Sequence, residues 1–263
     1  NVYGGLQDNQ SWYAPTQSAG GIENSDWKNF GGGDGFWVQV DGMNPDIVYT
    51  ESQGGEIVHN DLKQGKAYNI KPQQALNDEK LRFNWNTPIV IGQKNKRNLY
   101  IASQYLYKSV DEGKNWIKIS PDLTSNDKEK QKQDESGGLS TENTSAENHC
   151  SIFTIAESSL DDNLIWVGTD DGNLQYTTDG GKNWINVAKN YAATGIPAQT
   201  WVSSIEPSKF DKNIVYASFD NHMYGDHKTY LAKSTDMGKT WTLFKSDDFT
   251  GFANKIKEDN VNK

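Results

Sequence analysis

Carboxylates, imidazoles and aromatic rings are the side chains of this sequence that could act on or hold a ligand, and Asp34 leads the carboxylates. It stands in Gly31-Gly32-Gly33-Asp34-Gly35, where missing side chains let the backbone come close to a bound molecule. Hydrolysis of a glycosidic bond needs two carboxyl groups flanking it, one protonated and one ionised or acting as base. Asp34 is therefore the catalytic candidate, and Asp170 and Asp171, at the turn after a strand, are candidate ligand contacts. Asp-Gly pairs are equally ordinary hairpin-turn chemistry, so each position also has a purely structural reading. Trp12, Tyr13, Trp27, Phe36 and Trp37 crowd the first part of the chain among many glycines. Exposed rings of this kind can lie against the apolar faces of sugars; the competing role is packing between strands. This aromatic cluster is the preferred binding surface.

His222, Asp226 and His227 carry the oxygen and imidazole donors that a metal such as zinc accepts, but their spacing fits no strong motif and no metal is assigned. His149 adjoins Cys150, the only cysteine. Neighbouring residues of a strand point to opposite faces, so this thiol and imidazole are not expected to meet, and the thiol is expected to be a buried small apolar group. No cofactor is called for. Lys and Arg number 26 against 35 Asp and Glu, a net charge of -9, which has the wrong sign for a phosphate-tracking surface and argues against nucleic acid as a partner. Only two arginines, Arg82 and Arg97, are present to grip carboxylates or phosphates. No apolar run is long enough to span a bilayer, and Asn1-Val2-Tyr3-Gly4-Gly5 lacks the basic and apolar regions of a signal peptide. The expectation is a soluble chain whose export signal, if it has one, was removed or lies elsewhere.

The elements that must position these residues are short strands. Gly at 24, Trp at 9 and Tyr at 12, with apolar residues at only 34%, suit strands joined by many turns. A turn-then-strand phrase recurs as Asp46-Ile47-Val48-Tyr49, Asn98-Leu99-Tyr100-Ile101, Asn163-Leu164-Ile165-Trp166 and Asn213-Ile214-Val215-Tyr216, with Asn1-Val2-Tyr3 as a clipped copy. The interval, roughly 50 residues, suits a four-stranded propeller blade. A second phrase runs from Ser109 to Trp116, from Thr177 to Trp184 and from Ser234 to Trp241. In it Asp111, Asp179 and Asp236 can accept turn amides, while Gly113, Gly181 and Gly238 supply a positive φ. Trp116, Trp184 and Trp241 then open the next strand. An innermost strand is expected before each turn-strand phrase, over Thr87 to Gly92, Ser151 to Glu157 and Trp201 to Glu206. Residue 1 falls at the start of a second strand, and Asn254 to Lys263 resembles the stretch before one. About five repeats thus lie in a permuted frame, either closing a ring through strands from both ends or forming a segment of a larger propeller. Pro121 to Asn148 interrupts the rhythm with a polar insertion of alternating charge, expected to be solvated.

The three eight-residue phrases resemble the Asp-box, or BNR repeat, of sialidases, xyloglucanases, sortilin-type receptors and bacterial proteins described as glycosyl hydrolases. Tyr3-Gly4-Gly5-Leu6-Gln7-Asp8-Asn9, Gly31 to Gly35 and Trp166 to Asn173 look like the exported bacterial sortilin-like propellers in particular. That resemblance implies an all-β propeller of ten blades, or of paired seven-bladed rings, of which residues 1–263 form a single segment whose partners include the remaining blades of the parent chain. It also implies a periplasmic, cell-surface or extracellular location. A sialidase clamps its substrate carboxylate with three arginines, which this sequence does not hold, so a self-contained sialidase is set aside. The leading expectation is a non-catalytic exported propeller that binds a protein, peptide or glycan through its blade loops and central channel. The alternatives are a xyloglucanase-like glycoside hydrolase and a scaffold subunit of a surface or secretion assembly.

Overall fold

The protein is described by a computed structural model, which covers residues 1–132 and 148–262. Five antiparallel sheets follow one another along the chain. The first has three strands: β1 (Val2–Leu6), β2 (Gln10–Ala14) and β3 (Lys28–Asn29). The second comprises β4 (Gly35–Val40), β5 (Ile47–Ser52), β6 (Glu56–Asp61) and β7 (Lys66–Asn69). The third holds β8 (Ile89–Ile91), β9 (Leu99–Ala102), β10 (Leu106–Ser109) and β11 (Ile117–Lys118). The fourth is built from β12 (Ile152–Glu157), β13 (Ile165–Thr169), β14 (Leu174–Thr177) and β15 (Ile185–Asn186). The fifth consists of β16 (Trp201–Pro207), β17 (Val215–Asp220), β18 (Tyr230–Ser234) and β19 (Thr242–Leu243). Each is a meander, every strand pairing with its neighbour in sequence. The recurring turn-strand phrases become the second strands β5, β9, β13 and β17, and the clipped copy becomes β1.

Those second strands are rich in β-branched and aromatic residues and are buried on both faces, because the sheets pack face to face and the segment after the fifth sheet lies along that sheet. The core accordingly lies between sheets. One cluster joins the second and third through Tyr49, Ile57, Ile89 and Ile101; another joins the third and fourth through Tyr100, Leu106, Ile152 and Val167. The largest joins the fourth and fifth through Trp166, Leu174, Val202, Ala217 and Phe219. The first sheet contributes little to any of them, and Val2, Leu6 and Trp27 stay exposed.

The three Asp-containing turns share one geometry. Ser109, Thr177 and Ser234 each donate a hydroxyl to the carboxylate two residues on, at 2.8 Å in every case. The same oxygens accept the amides of Gly113, Gly181 and Gly238 at 2.9, 3.0 and 2.8 Å. Asp111, Asp179 and Asp236 then accept the amides of Asn115, Asn183 and Thr240. The glycines sit at φ values of 82°, 104° and 76°, which L side chains rarely adopt. They also face the end of the neighbouring sheet: a Cβ on Gly113 would meet Ile70, on Gly181 the Ile119 carbonyl, and on Gly238 Val187. Trp116 and Trp184 tie the same joints, donating their indole N–H to the carbonyls of Ile70 and Ile119 at 2.6 and 3.2 Å. These turns are thus cements between sheets as well as hairpin loops.

The described charge run of the polar insertion lies at the surface, with Lys128 and Glu129 exposed, while the residues before it dock on the sheets. Leu123 is fully buried and its carbonyl accepts the side-chain amides of Asn173 and Gln175 at 3.0 and 2.6 Å. Ser125 donates both its amide and its hydroxyl to Asp171, each at 2.7 Å. A charged sequence can dock when its backbone and short hydroxyls find partners, and its composition alone does not reveal them. Residues 133–147, which include Asp134 and Glu135 of the charge run, lie outside the described residues.

Candidate functional site

Structural register across the sheets can be read from one repeated hydrogen bond. The amides of Asp41, Gly92, Ser158 and Ser208 donate to the carbonyls of Ile47, Asn98, Leu164 and Ile214, closing the turn between first and second strand in four sheets. Counting back from those amides, Trp37, Thr154 and Ser204 occupy one level of the inner strands β4, β12 and β16, and Gln39, Val90, Ala156 and Glu206 occupy the next. These side chains face a common cavity of about 280 Å³ at the centre of the sheets.

The segment after the fifth sheet completes the lining. Glu258 accepts the Lys209 amide at 2.6 Å, the Ser208 hydroxyl at 2.7 Å and the Tyr216 hydroxyl at 3.2 Å. Glu157, at the end of β12, holds the third sheet in the same manner through the Lys94 amide, Asn98 and Tyr100. Residues 253–258 therefore run along the fifth sheet as an inner strand would, and Lys255 and Lys257 fall at the two lining levels. Lys255 Nζ lies over the Trp37 ring, 5.2 Å from its centre.

The five aromatic residues do not form one patch. Trp12 and Trp27, with Val2, Tyr3, Leu6 and Asn24, line an open, mostly apolar cavity of about 470 Å³ on the first sheet. Trp27 is 42% exposed, while Trp12 donates its indole N–H to the Asn9 carbonyl. Tyr13 lies on the other face of the strand, stacked on Tyr3 at 5.7 Å and edge-on to Phe30 at 5.1 Å. Phe36 meets Trp85 edge-on, and Trp37 turns into the central cavity. Alternation along β2 separates Trp12 from Tyr13, whereas Phe36 and Trp37 lie in an irregularity of β4 between Gly35 and Val38 and together border a shallow cavity with Tyr3 and Asn86.

Asp34 follows Gly33, which has a positive φ of 62°. Its amide donates to Gln53 Oε1 at 2.6 Å, and its Oδ1 accepts the Asp8 amide at 2.8 Å. The loop carrying Asp8 and the glycine-rich turn are thus held together through a backbone amide. Asp170 and Asp171 lie inside the protein. Asp170 is fully buried and accepts the Ser151 amide and hydroxyl and the Asn84 side-chain amide. Burial first, and the Asp171 charge second, push its carboxyl up to about 7. Asp171 accepts Thr169 on one oxygen and Ser125 on the other. Together they tether Asn84, Ser151 and the insertion to the fourth sheet.

The His222 loop holds its own partners: His222 Nδ1 is 2.6 Å from Asp220 and its ring stacks on Phe252 at 4.4 Å. Asp226 accepts the Tyr230 hydroxyl at 2.7 Å. Among the described residues no three His, Cys, Asp or Glu side chains converge as metal ligands. His149 and Cys150 correct the expectation that they stay apart, since His149 Nδ1 and Cys150 Sγ are 3.6 Å apart. Cys150 has a φ of 59°, so the strand alternation behind that expectation does not apply at this point. Burial pushes the thiol up to about 11 and the imidazole below its usual value, which keeps both neutral instead of forming a thiolate–imidazolium couple. Cys150 is buried, as its type suggests.

No family model matches the sequence, and no curated protein matches it. Solved structures do. The extracellular domain of a B. thetaiotaomicron one-component system matches with a TM-score of 0.50 at 13% identity, over 84% of this chain and 23% of that one. YCF48 from Cyanidioschyzon merolae gives a TM-score of 0.50 at 12% identity, over 89% of this chain and 66% of that one. A GH74 enzyme of Niastella koreensis gives 0.49 at 16% identity, over 80% of this chain and 29% of that one. The chain therefore spans less than a third of the length of the GH74 enzyme and of the B. thetaiotaomicron domain. At these identities the likeness concerns the fold alone: an all-β propeller architecture of blade-like sheets.

Proposed function

We propose that this chain is a non-catalytic β-propeller segment, with Asp-box turns of the sortilin-like kind, that binds a protein, peptide or glycan outside the cytoplasm. The observation that carries the reading is the open cavity between Trp12 and Trp27, in which an exposed indole face borders Val2 and Leu6. Large apolar side chains clustered in water around one cavity mark a surface that gains from being covered. A flat ring beside a few polar groups such as Asn24 suits the apolar face of a sugar or an aromatic or aliphatic peptide side chain.

Screening the purified chain on glycan and peptide arrays, then measuring the best ligand against Trp27→Ala, tests this. Trp27 is exposed, and among the described residues its indole makes no hydrogen bond, so its removal is expected to leave the sheets intact. Loss of an anchoring indole weakens binding on the order of 30-fold or more. A ligand whose affinity is unchanged in Trp27→Ala would overturn the assignment to this cavity. The glycoside-hydrolase reading rests on Asp34 in its glycine-rich turn, whose Oδ1 accepts the Asp8 amide. Cleavage of an arrayed oligosaccharide that is lost in Asp34→Asn would replace the binding reading with that one.

A further inference from the structure

We infer that the central cavity is a site for a small oxyanion, a carboxylate or sulfate group, held by Lys255. The chain as a whole is acidic, with a net charge of -9, yet three lysines, Lys209, Lys255 and Lys257, border this cavity. The two carboxylates on its wall are already engaged. Glu157 is turned to the Lys94 amide, Asn98 and Tyr100, and Glu206 is paired with Lys257 and, at 3.7 Å, with Lys209. Lys255 forms no ion pair among the described residues; its ammonium rests over Trp37. The Lys255 side chain is exposed, and the Trp37 ring face leaves its charge unneutralised, so the ammonium can pair with an anion that enters the cavity.

The remaining walls supply the complement that such an anion needs. Thr154 and Ser204 present hydroxyls at the same level as Lys255, and Gln39 lies one level below. Hydroxyl and amide donors around one cation match an acceptor with several oxygens. A volume of about 280 Å³ admits a carboxylate or sulfate and its nearest substituent, not an extended chain. Burial, then the charge of Lys257, draw the Lys255 pKa below its usual value, and a bound anion would reverse that shift. The opening of the cavity leaves room for the anion either free or as the charged end of a larger ligand. This deepens the binding reading but stands on residues separate from the Trp12–Trp27 cavity, so failure at either place leaves the other intact.

Titrating the whole protein with sodium acetate, sodium sulfate and glucuronate while following the Trp37 indole N–H in a 15N-correlation spectrum tests the site, the signal being assigned with Trp37→Phe. The expected result is a saturable shift of that signal, with the affinity at least 10-fold weaker in Lys255→Met, which keeps the stem over the ring without the charge. Glucuronate binding more tightly than acetate would identify a charged sugar as the source; equal affinities would identify the free anion. The inference is overturned if the Trp37 signal does not move, or if Lys255→Met, with an unchanged spectrum elsewhere, binds as the original chain does.

Discussion

Taking Asp170 out of water and setting it beside Asp171 raises its carboxyl to about 7, with burial the larger cause. An aspartate in the unfolded chain titrates near about 3.9. Between about pH 4 and pH 7 the native protein therefore keeps a proton that the unfolded chain has released, and stability falls as pH rises through that window. Glu51, also raised by burial, has the same sign. Asp179 works the other way, since its Asn183 and Thr177 partners lower it to about 2; its contribution is present above its ordinary pKa and lost only as pH falls toward 2. Asp170→Asn should thus flatten the slope: the drop in urea midpoint from about pH 4.5 to about pH 7.5 becomes smaller than in the original chain. An unchanged drop would mean that Asp170 is not the titrating group. None of this was legible in the local sequence, where Asp170-Asp171-Gly172 reads as a turn. The burial comes from Asn84 and Ser125, which are 86 residues from Asp170 and 46 from Asp171. The approach of His149 to Cys150 escaped for a related reason, because a left-handed φ at a cysteine has no signature in residue type.

The hairpin turns sit at the opposite extreme of legibility. Ser or Thr, Asp, Gly and Trp at fixed offsets specify their hydrogen bonds within eight residues, and all three copies form as their spacing implies. What the spacing leaves out is the neighbour. Gly181 has a φ of 104° and its missing Cβ leaves room for Ile119 of the preceding sheet, whereas Gly195 has a φ of 99° and open space around it. The backbone strain of an alanine is alike at the two positions, so the comparison isolates the inter-sheet contact. Gly195→Ala should cost about 1 kcal/mol and Gly181→Ala about 2–4 kcal/mol, read as urea-unfolding free energies. Equal losses would show that the turn is not seated against the third sheet. The aromatic residues lie between these extremes. Their abundance in the first repeat is plain, but the period of two along β2 sends Trp12 and Tyr13 to opposite faces, and a register shift in β4 that the residue types do not announce sets Phe36 and Trp37.

At the scale of the molecule, the sheets are held by their neighbours, so the first sheet and the segment after the fifth should decide how the assembly ends. The sequence showed that segment only as a polar stretch resembling the one before a second strand, and its lysines carried no sign of where they would point. Its place is fixed by Glu258, which is 8% exposed and takes three donors from the fifth sheet, by Lys257 on Glu206 and by Phe252 on His222. Removing residues 252–263 would leave the Ser208 and Tyr216 hydroxyls without their acceptor and Glu206 with Lys209 alone, beside the central cavity. A buried acceptor or donor stripped of its partner costs about 1–3 kcal/mol, so this truncation should lower unfolding stability by about 3 kcal/mol or more. Removing only residues 260–263 should change it by less than about 1 kcal/mol, because Glu258 stays in place. The longer truncation also strips cover from the inner face of the fifth sheet and leaves β16 exposed to other chains, which favours self-association. Light scattering of the two truncations should therefore show a rise in mass for the longer one alone. If both unfold at the same denaturant concentration and keep the same mass, the segment is not a structural strand of the propeller, and the Lys255 side of the central cavity loses its support with it.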